Sequence, residues 1–131
     1  MKISGHGLEC EVHFSPPDNE GWMRTNIQLR VPAFEGGFTC TVQTGEWRSL
    51  VQALRNLEAS VGKDVEVSWE NMEANIAFRF RLHKRGSLEG QYEFSPGSIS
   101  LGPTLAGTFE ADRTFLQGWI RSAQQVLENV R

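Results

Sequence analysis

Asp112-Arg-Thr-Phe-Leu-Gln-Gly-Trp-Ile-Arg-Ser-Ala-Gln-Gln-Val-Leu-Glu-Asn-Val130 is the stretch around which the rest of the chain has to be arranged. Phe115, Leu116, Trp119, Ile120, Ala123, Val126, Leu127 and Val130 fall at the i, i+3, i+4, i+7 spacing of one helix face. Asp112 stands just before the run, where a carboxylate can accept from the free N–H groups of a first turn. Upstream segments read as strands with one apolar face each, and this helix is the natural cover for those faces. Gly118 and Ser122 are small residues one turn apart. Their spacing predicts that the first helix, near Ala53, or a strand approaches the last helix there.

Before that helix the chain alternates. Leu8, Cys10, Val12 and Phe14 interleave with Glu9, Glu11 and His13, the period of a half-buried strand. Ser15 to Gly21 reads as a loop. Met23, Thr25, Ile27, Leu29 and Val31 then alternate with Arg24, Asn26, Gln28 and Arg30. Pro32 to Gly37 reads as a turn, and Phe38, Cys40 and Val42 as a third strand. From Thr44 or Gly45 the period changes to helical, with Trp47, Leu50, Val51, Leu54, Leu57 and Val61 on one face and Gly62 after it.

Val65, Val67 and Trp69 form the next strand, followed by Ile76, Phe78, Phe80 and Leu82, then by Tyr92 and Phe94. Ile99 and Leu101 are candidates for a short edge strand. Leu105 to Phe109 leads into the final helix. The expected fold is therefore α+β: one twisted, largely antiparallel sheet of about seven strands, with two helices packed on its apolar face and the other face wet. Pairing Trp69 with Ile76 would set Glu66 opposite Arg79. A three-residue loop after His83 would set Arg81 opposite Glu89. Glu9 and Glu11 would lie along the Arg24–Arg30 strand.

The 131 residues suit a single α+β domain over 1–131, and 39% hydrophobic with 22% charged residues is enough apolar content for a core. The formal net charge of -3, with both signs interleaved, argues against nucleic acid as partner. No apolar run reaches the length of a membrane span, and the first residues carry no apolar signal segment. Together with only two Cys, this leads us to expect a cytoplasmic protein with free thiols. Cys10 and Cys40 should both point inward, near Ile27 and Leu29, two strands apart at roughly 9–10 Å, too far for a disulfide.

His6, His13 and His83 lack metal spacing, so no metal and no cofactor is expected. Glu66, Glu70 and Glu73 cluster near one turn, but on an open strand face they are poorly placed for acid–base chemistry. Gly36-Gly37 is too short to cradle a phosphate. Trp22 and Phe34 lie outside the inward pattern and are candidate partner anchors.

Phe34-Glu-Gly-Gly-Phe38, then a helix with Leu50, Leu54 and Leu57, then alternating strands, then Gly107-Thr-Phe-Glu-Ala-Asp-Arg-Thr-Phe-Leu116, resembles the WapI-like immunity group over residues 22 to 130. Some members of that group bind a polymorphic toxin. The resemblance implies a non-enzymatic binding protein with a protein toxin as partner, and no catalytic residues. The outward residues Arg24, Asn26, Gln28, Arg30, Arg79, Arg81, Glu89 and Glu93 form the expected partner-binding face. The alternative is a small-molecule binder or enzyme with a pocket between sheet and helices, which would need convergent polar groups in a concavity.

Overall fold

The computed structural model describes residues 1–97 and 102–129. Four strands come first: β1 (Lys2–Gly5), β2 (Leu8–Phe14), β3 (Trp22–Val31) and β4 (Phe34–Gln43). Helix α1 (Thr44–Ala59) follows. Four more strands are β5 (Val65–Glu70), β6 (Ile76–Leu82), β7 (Ser87–Phe94) and β8 (Leu105–Asp112), and α2 (Arg113–Asn129) ends the order. The expected edge strand at Ile99 and Leu101, and the helix position Val130, lie outside the described residues.

The α+β class and the antiparallel strands are as expected, but the single sheet of about seven strands is not. There are two four-stranded antiparallel sheets, ordered β1-β2-β3-β4 and β5-β6-β7-β8. Each half of the chain is thus a four-stranded meander followed by a helix. Two features divide the sheets. Helix α1 separates β4 from β5 in the chain. At the other edges, β1 and β8 meet only at a bridge between His6 and Glu110, whose backbone groups exchange hydrogen bonds of 2.8 and 2.9 Å.

Beyond that bridge α2 occupies the edge of β1. The Trp119 indole Nε1–H donates to the Ser4 carbonyl at 2.9 Å, and the Lys2 backbone N–H donates to Ser122 Oγ at 3.3 Å. An open strand edge leaves backbone groups unpaired, and covering it with a helix removes that liability. Strand β1 is short and carries one buried apolar residue, Ile3, so its alternation is too brief to read from sequence.

The β3–β4 hairpin also turns more tightly than expected. Only Pro32 and Ala33 make the turn; β4 begins at Phe34, so Phe34 to Gly37 are strand residues. Proline supplies the fixed φ of the first corner residue, and Ala33 takes a φ of 70° at the second. In the second sheet, Trp69 pairs with Phe78, not with Ile76, because Asn71 organises a wider turn. Its Oδ1 accepts from the Asn75 and Ile76 backbone N–H groups at 2.8 and 2.9 Å. The loop after His83 does have three residues, and Arg81 faces Glu89.

Helix α1 starts with a capping box: Glu46 accepts from the Gln43 backbone N–H at 2.7 Å. The same carboxylate also receives the Met72 backbone N–H, while the Glu46 carbonyl receives Trp69 Nε1–H at 2.9 Å. One residue therefore caps the helix and fastens it to the β5–β6 turn. Helix α2 is capped as expected, Asp112 Oδ1 accepting from Thr114 and Phe115 at 2.9 and 3.2 Å. Trp47, Leu50, Val51, Leu54 and Leu57 of α1 are buried; Val61 lies past the helix end and is exposed.

Trp119 is the joint of the molecule. Its ring packs on Phe80 and Phe109 of the second sheet, with centroids 5.5 and 5.9 Å apart, while its N–H holds the first sheet at Ser4. Buried side chains of both sheets and both helices form a single hydrophobic cluster. The close approach expected at Gly118 is not there: a Cβ at that position would meet open space. The strand contact falls one turn later, at Ser122.

Candidate functional site

Both helices lie on the apolar sides, so the polar side of each sheet is left uncovered. The eight expected contact residues divide between the two sheets. Arg24, Asn26, Gln28 and Arg30 point outward from β3; Arg79 and Arg81 point outward from β6, and Glu89 and Glu93 from β7. All eight are exposed. Bridge partners in an antiparallel pair project to the same side, and His6 and Glu110 are both exposed. The two outer faces therefore continue into one another through the bridge.

Cross-strand register sorts the first face into rows. Ser4, Glu9, Arg30 and Glu35 form one, with Arg30 Nε 3.2 Å from Glu35 Oε2. Lys2, Glu11, Gln28 and Gly37 form the next, and His13 Nε2 approaches Glu11 at 3.2 Å. Acidic residues Glu9, Glu11 and Glu35 are matched by Lys2, Arg24 and Arg30, and no two like charges stand opposite each other. A shallow depression of about 420 Å³ lies along these rows.

The second face is built differently. Glu70, Ala77, Glu93 and Ala106 make the first row; Ser68, Arg79, Gln91 and Thr108 the second; Glu66, Arg81, Glu89 and Glu110 the third. The expected Glu66–Arg79 pair exists, at 3.1 Å, but as a diagonal contact between rows, because the strands are shifted by two residues from the expected register. His83 Nε2 lies 3.4 Å from Glu89. In these three rows five carboxylates (Glu66, Glu70, Glu89, Glu93 and Glu110) stand with two guanidinium groups, Arg79 and Arg81. The twisted sheet forms a trough of about 750 Å³ here, floored by Ala77 and Ala106.

Sequence reasoning did not join Glu70, Ala77, Ala106 and Glu110 to the expected partner-binding residues. Their alternation was legible, but their neighbours depend on the β5–β6 register and on β8 pairing with β7, and neither follows from periodicity.

The space between sheets and helices is filled by rings. Phe78, Phe80, Phe94, Phe109 and Trp119 are buried there, Phe94 touches Phe38 of the first sheet, and the Phe109 ring covers Gly90. Buried polar side chains are internally satisfied: Thr25 Oγ1 donates to the Met23 carbonyl at 3.0 Å, and Asn75 Nδ2 to the Ser95 carbonyl at 2.8 Å. A groove of about 430 Å³ opens where β1 meets α2, lined by Ser4, Phe115, Gly118 and Trp119.

Cys10 and Cys40 are free thiols. They pair with Leu29 and Thr25, the reverse of the expected order along β3, and the intervening strand keeps them apart. Burial pushes the Cys10 thiol up to about 12. Burial, reinforced by the nearby Glu46 carboxylate, pushes Cys40 up to about 11. A thiol held protonated is a poor nucleophile and metal ligand, and no group of three or more metal-ligating side chains occurs among the described residues. No helix among them is long and apolar enough to cross a membrane. Phe34 is 67% exposed at the tip of the β3–β4 hairpin, whereas Trp22 is half-buried.

Comparison with known proteins gives one family. The model of the immunity protein WapI-like family matches residues 1–131. No curated protein matches. Among solved structures, a protein of unknown function from the DUF155 family of Prochlorococcus sp. NATL2A is 11% identical, covering 97% of this chain and 98% of that one, with a TM-score of 0.40. Likeness at that level carries no argument about this chain.

Proposed function

The chain belongs to the immunity protein WapI-like family, and from that premise we propose that it neutralises a bacterial protein toxin by binding it, in the cytoplasm of the cell that makes both. The observation that supports binding is the pair of polar sheet faces, whose outward residues are exposed and whose edges meet at the His6–Glu110 bridge. The proposed contact surface carries Arg24, Asn26, Gln28 and Arg30 on one sheet and Arg79, Arg81, Glu89 and Glu93 on the other. Mixed charge on such a surface steers association and rejects wrong partners.

The test is co-expression with the toxin domain encoded beside this chain's gene. Protected cells should yield a stable complex of the two proteins. Protection with no complex, or with a chemically altered toxin, would replace binding by an enzymatic reading. Absence of protection would remove the immunity reading for this toxin.

A further inference from the structure

We propose that the docking surface is the outer face of β5–β8 rather than both faces, and that it takes a lysine- or arginine-bearing surface of a protein partner. This rests on the binding reading above and narrows it to one face and one chemistry.

Two rows carry the argument. Glu89 and Glu110 stand directly opposite each other on β7 and β8. Like charges in that position destabilise a sheet, and Glu110 has no ion pair among the described residues. In the other row, Glu70 and Glu93 flank Ala77, and Ala106 lies beyond Glu93. Neither carboxylate has an ion pair among the described residues. The two arginines of this face are already engaged: Arg79, which lines the same trough, is held by Glu66, and Arg81 stands between Glu66 and Glu89.

The shape suits the same occupant. Long cationic side chains lay their methylene stems on apolar surface and keep the charged head in a polar setting. The methyl groups of Ala77 and Ala106 offer such a floor, and Glu70 and Glu93 stand beside it. Arginine heads would meet the carboxylates with paired N–H donors. Phosphate-rich partners are repelled by the same charge, so neither nucleic acid nor an anionic membrane fits.

Calorimetric titration with the adjacent toxin domain, at low and high salt, tests this. Glu89→Gln/Glu110→Gln and Glu70→Gln/Glu93→Gln should each weaken Kd at least about tenfold at low salt, with a smaller loss at high salt, where screening shortens the reach of charge. Glu9→Gln/Glu11→Gln, on the first sheet, should stay within about twofold of the parent. Acidic-face variants that bind like the parent would overturn the inference while leaving the binding reading intact. A parent protein that binds nothing would end both. Independently of any partner, Glu110→Gln should raise Tm, because it relieves the opposed pair. A lower Tm would show that this carboxylate serves the fold, and would overturn its assignment to a partner.

Discussion

The two outer sheet faces are made by the same topology and differ in how their charges are arranged. On β1–β4, Arg30 stands between Glu9 and Glu35, and Lys2 stands beside Glu11, so each carboxylate has a cation opposite it. On β5–β8, Glu70, Glu93 and Glu110 have no lysine or arginine opposite them. Paired charges keep a wet sheet face soluble and are worth little beyond that. Opposed carboxylates make the chain less stable than it needs to be, and such local conflicts concentrate where a surface does something other than fold. The difference teaches that polarity alone does not mark an interaction face; the pairing of its charges does.

Trp119 offers the largest way to break the comparison, because it ties the two sheets together. Trp119→Ala should cost about 3–5 kcal/mol, the usual loss for a buried indole. Urea denaturation followed separately by hydrogen exchange in β2–β3 and in β6–β7 would measure it. If both sheets loosen together, they share one cooperative unit; a loss confined to the second would make them separable. A loss below about 1 kcal/mol would mean that the joint lies elsewhere.

Glycines sharpen the comparison at a smaller scale. A Cβ at Gly90 would run into the Phe109 ring, whereas one at Gly36 would meet open space. Gly90→Ala should therefore destabilise by about 1–3 kcal/mol through overpacking. Gly36→Ala should be neutral or gain up to about 1 kcal/mol from the lost unfolded-state freedom. Equal effects in thermal melts would show that the two sheets are packed alike, against the geometry described above.

Single charges give the smallest expected effect and test the contrast itself. Glu9→Gln removes an attraction to Arg30 and should lower stability by roughly 0.2–1 kcal/mol, while Glu110→Gln should raise it by a similar amount. Chemical denaturation at low salt reads both, and raising the salt should shrink the two shifts toward zero. Shifts of the same sign would erase the distinction between the faces.

Most local structure was legible in the residues. Period-two runs marked β2, β3 and β6, period-3.6 runs marked both helices, and the Asp112 cap set where α2 begins. Less was legible at β1, where four residues are too few for a pattern, and at Phe34 to Gly37, where two glycines and an exposed Phe hid a strand behind a turn-like composition. Of the candidate site, each outward residue could be assigned to a face of its own strand. Which residues became neighbours could not: the Glu66–Arg79 contact arose through a register two residues from the expected one.

Sequence by itself determined most of the elements, their buried sides, the free state of the thiols and, through resemblance, the family. These follow from interactions within one element, or from composition, and alternation records them directly. Only the tertiary structure decided that one sheet is two, that α2 lies on the edge of β1 with Trp119 as the joint, and that Glu89 faces Glu110. Those outcomes depend on strand order and register. Both are set by which distant apolar faces pack together, and a single strand's pattern is compatible with several partners.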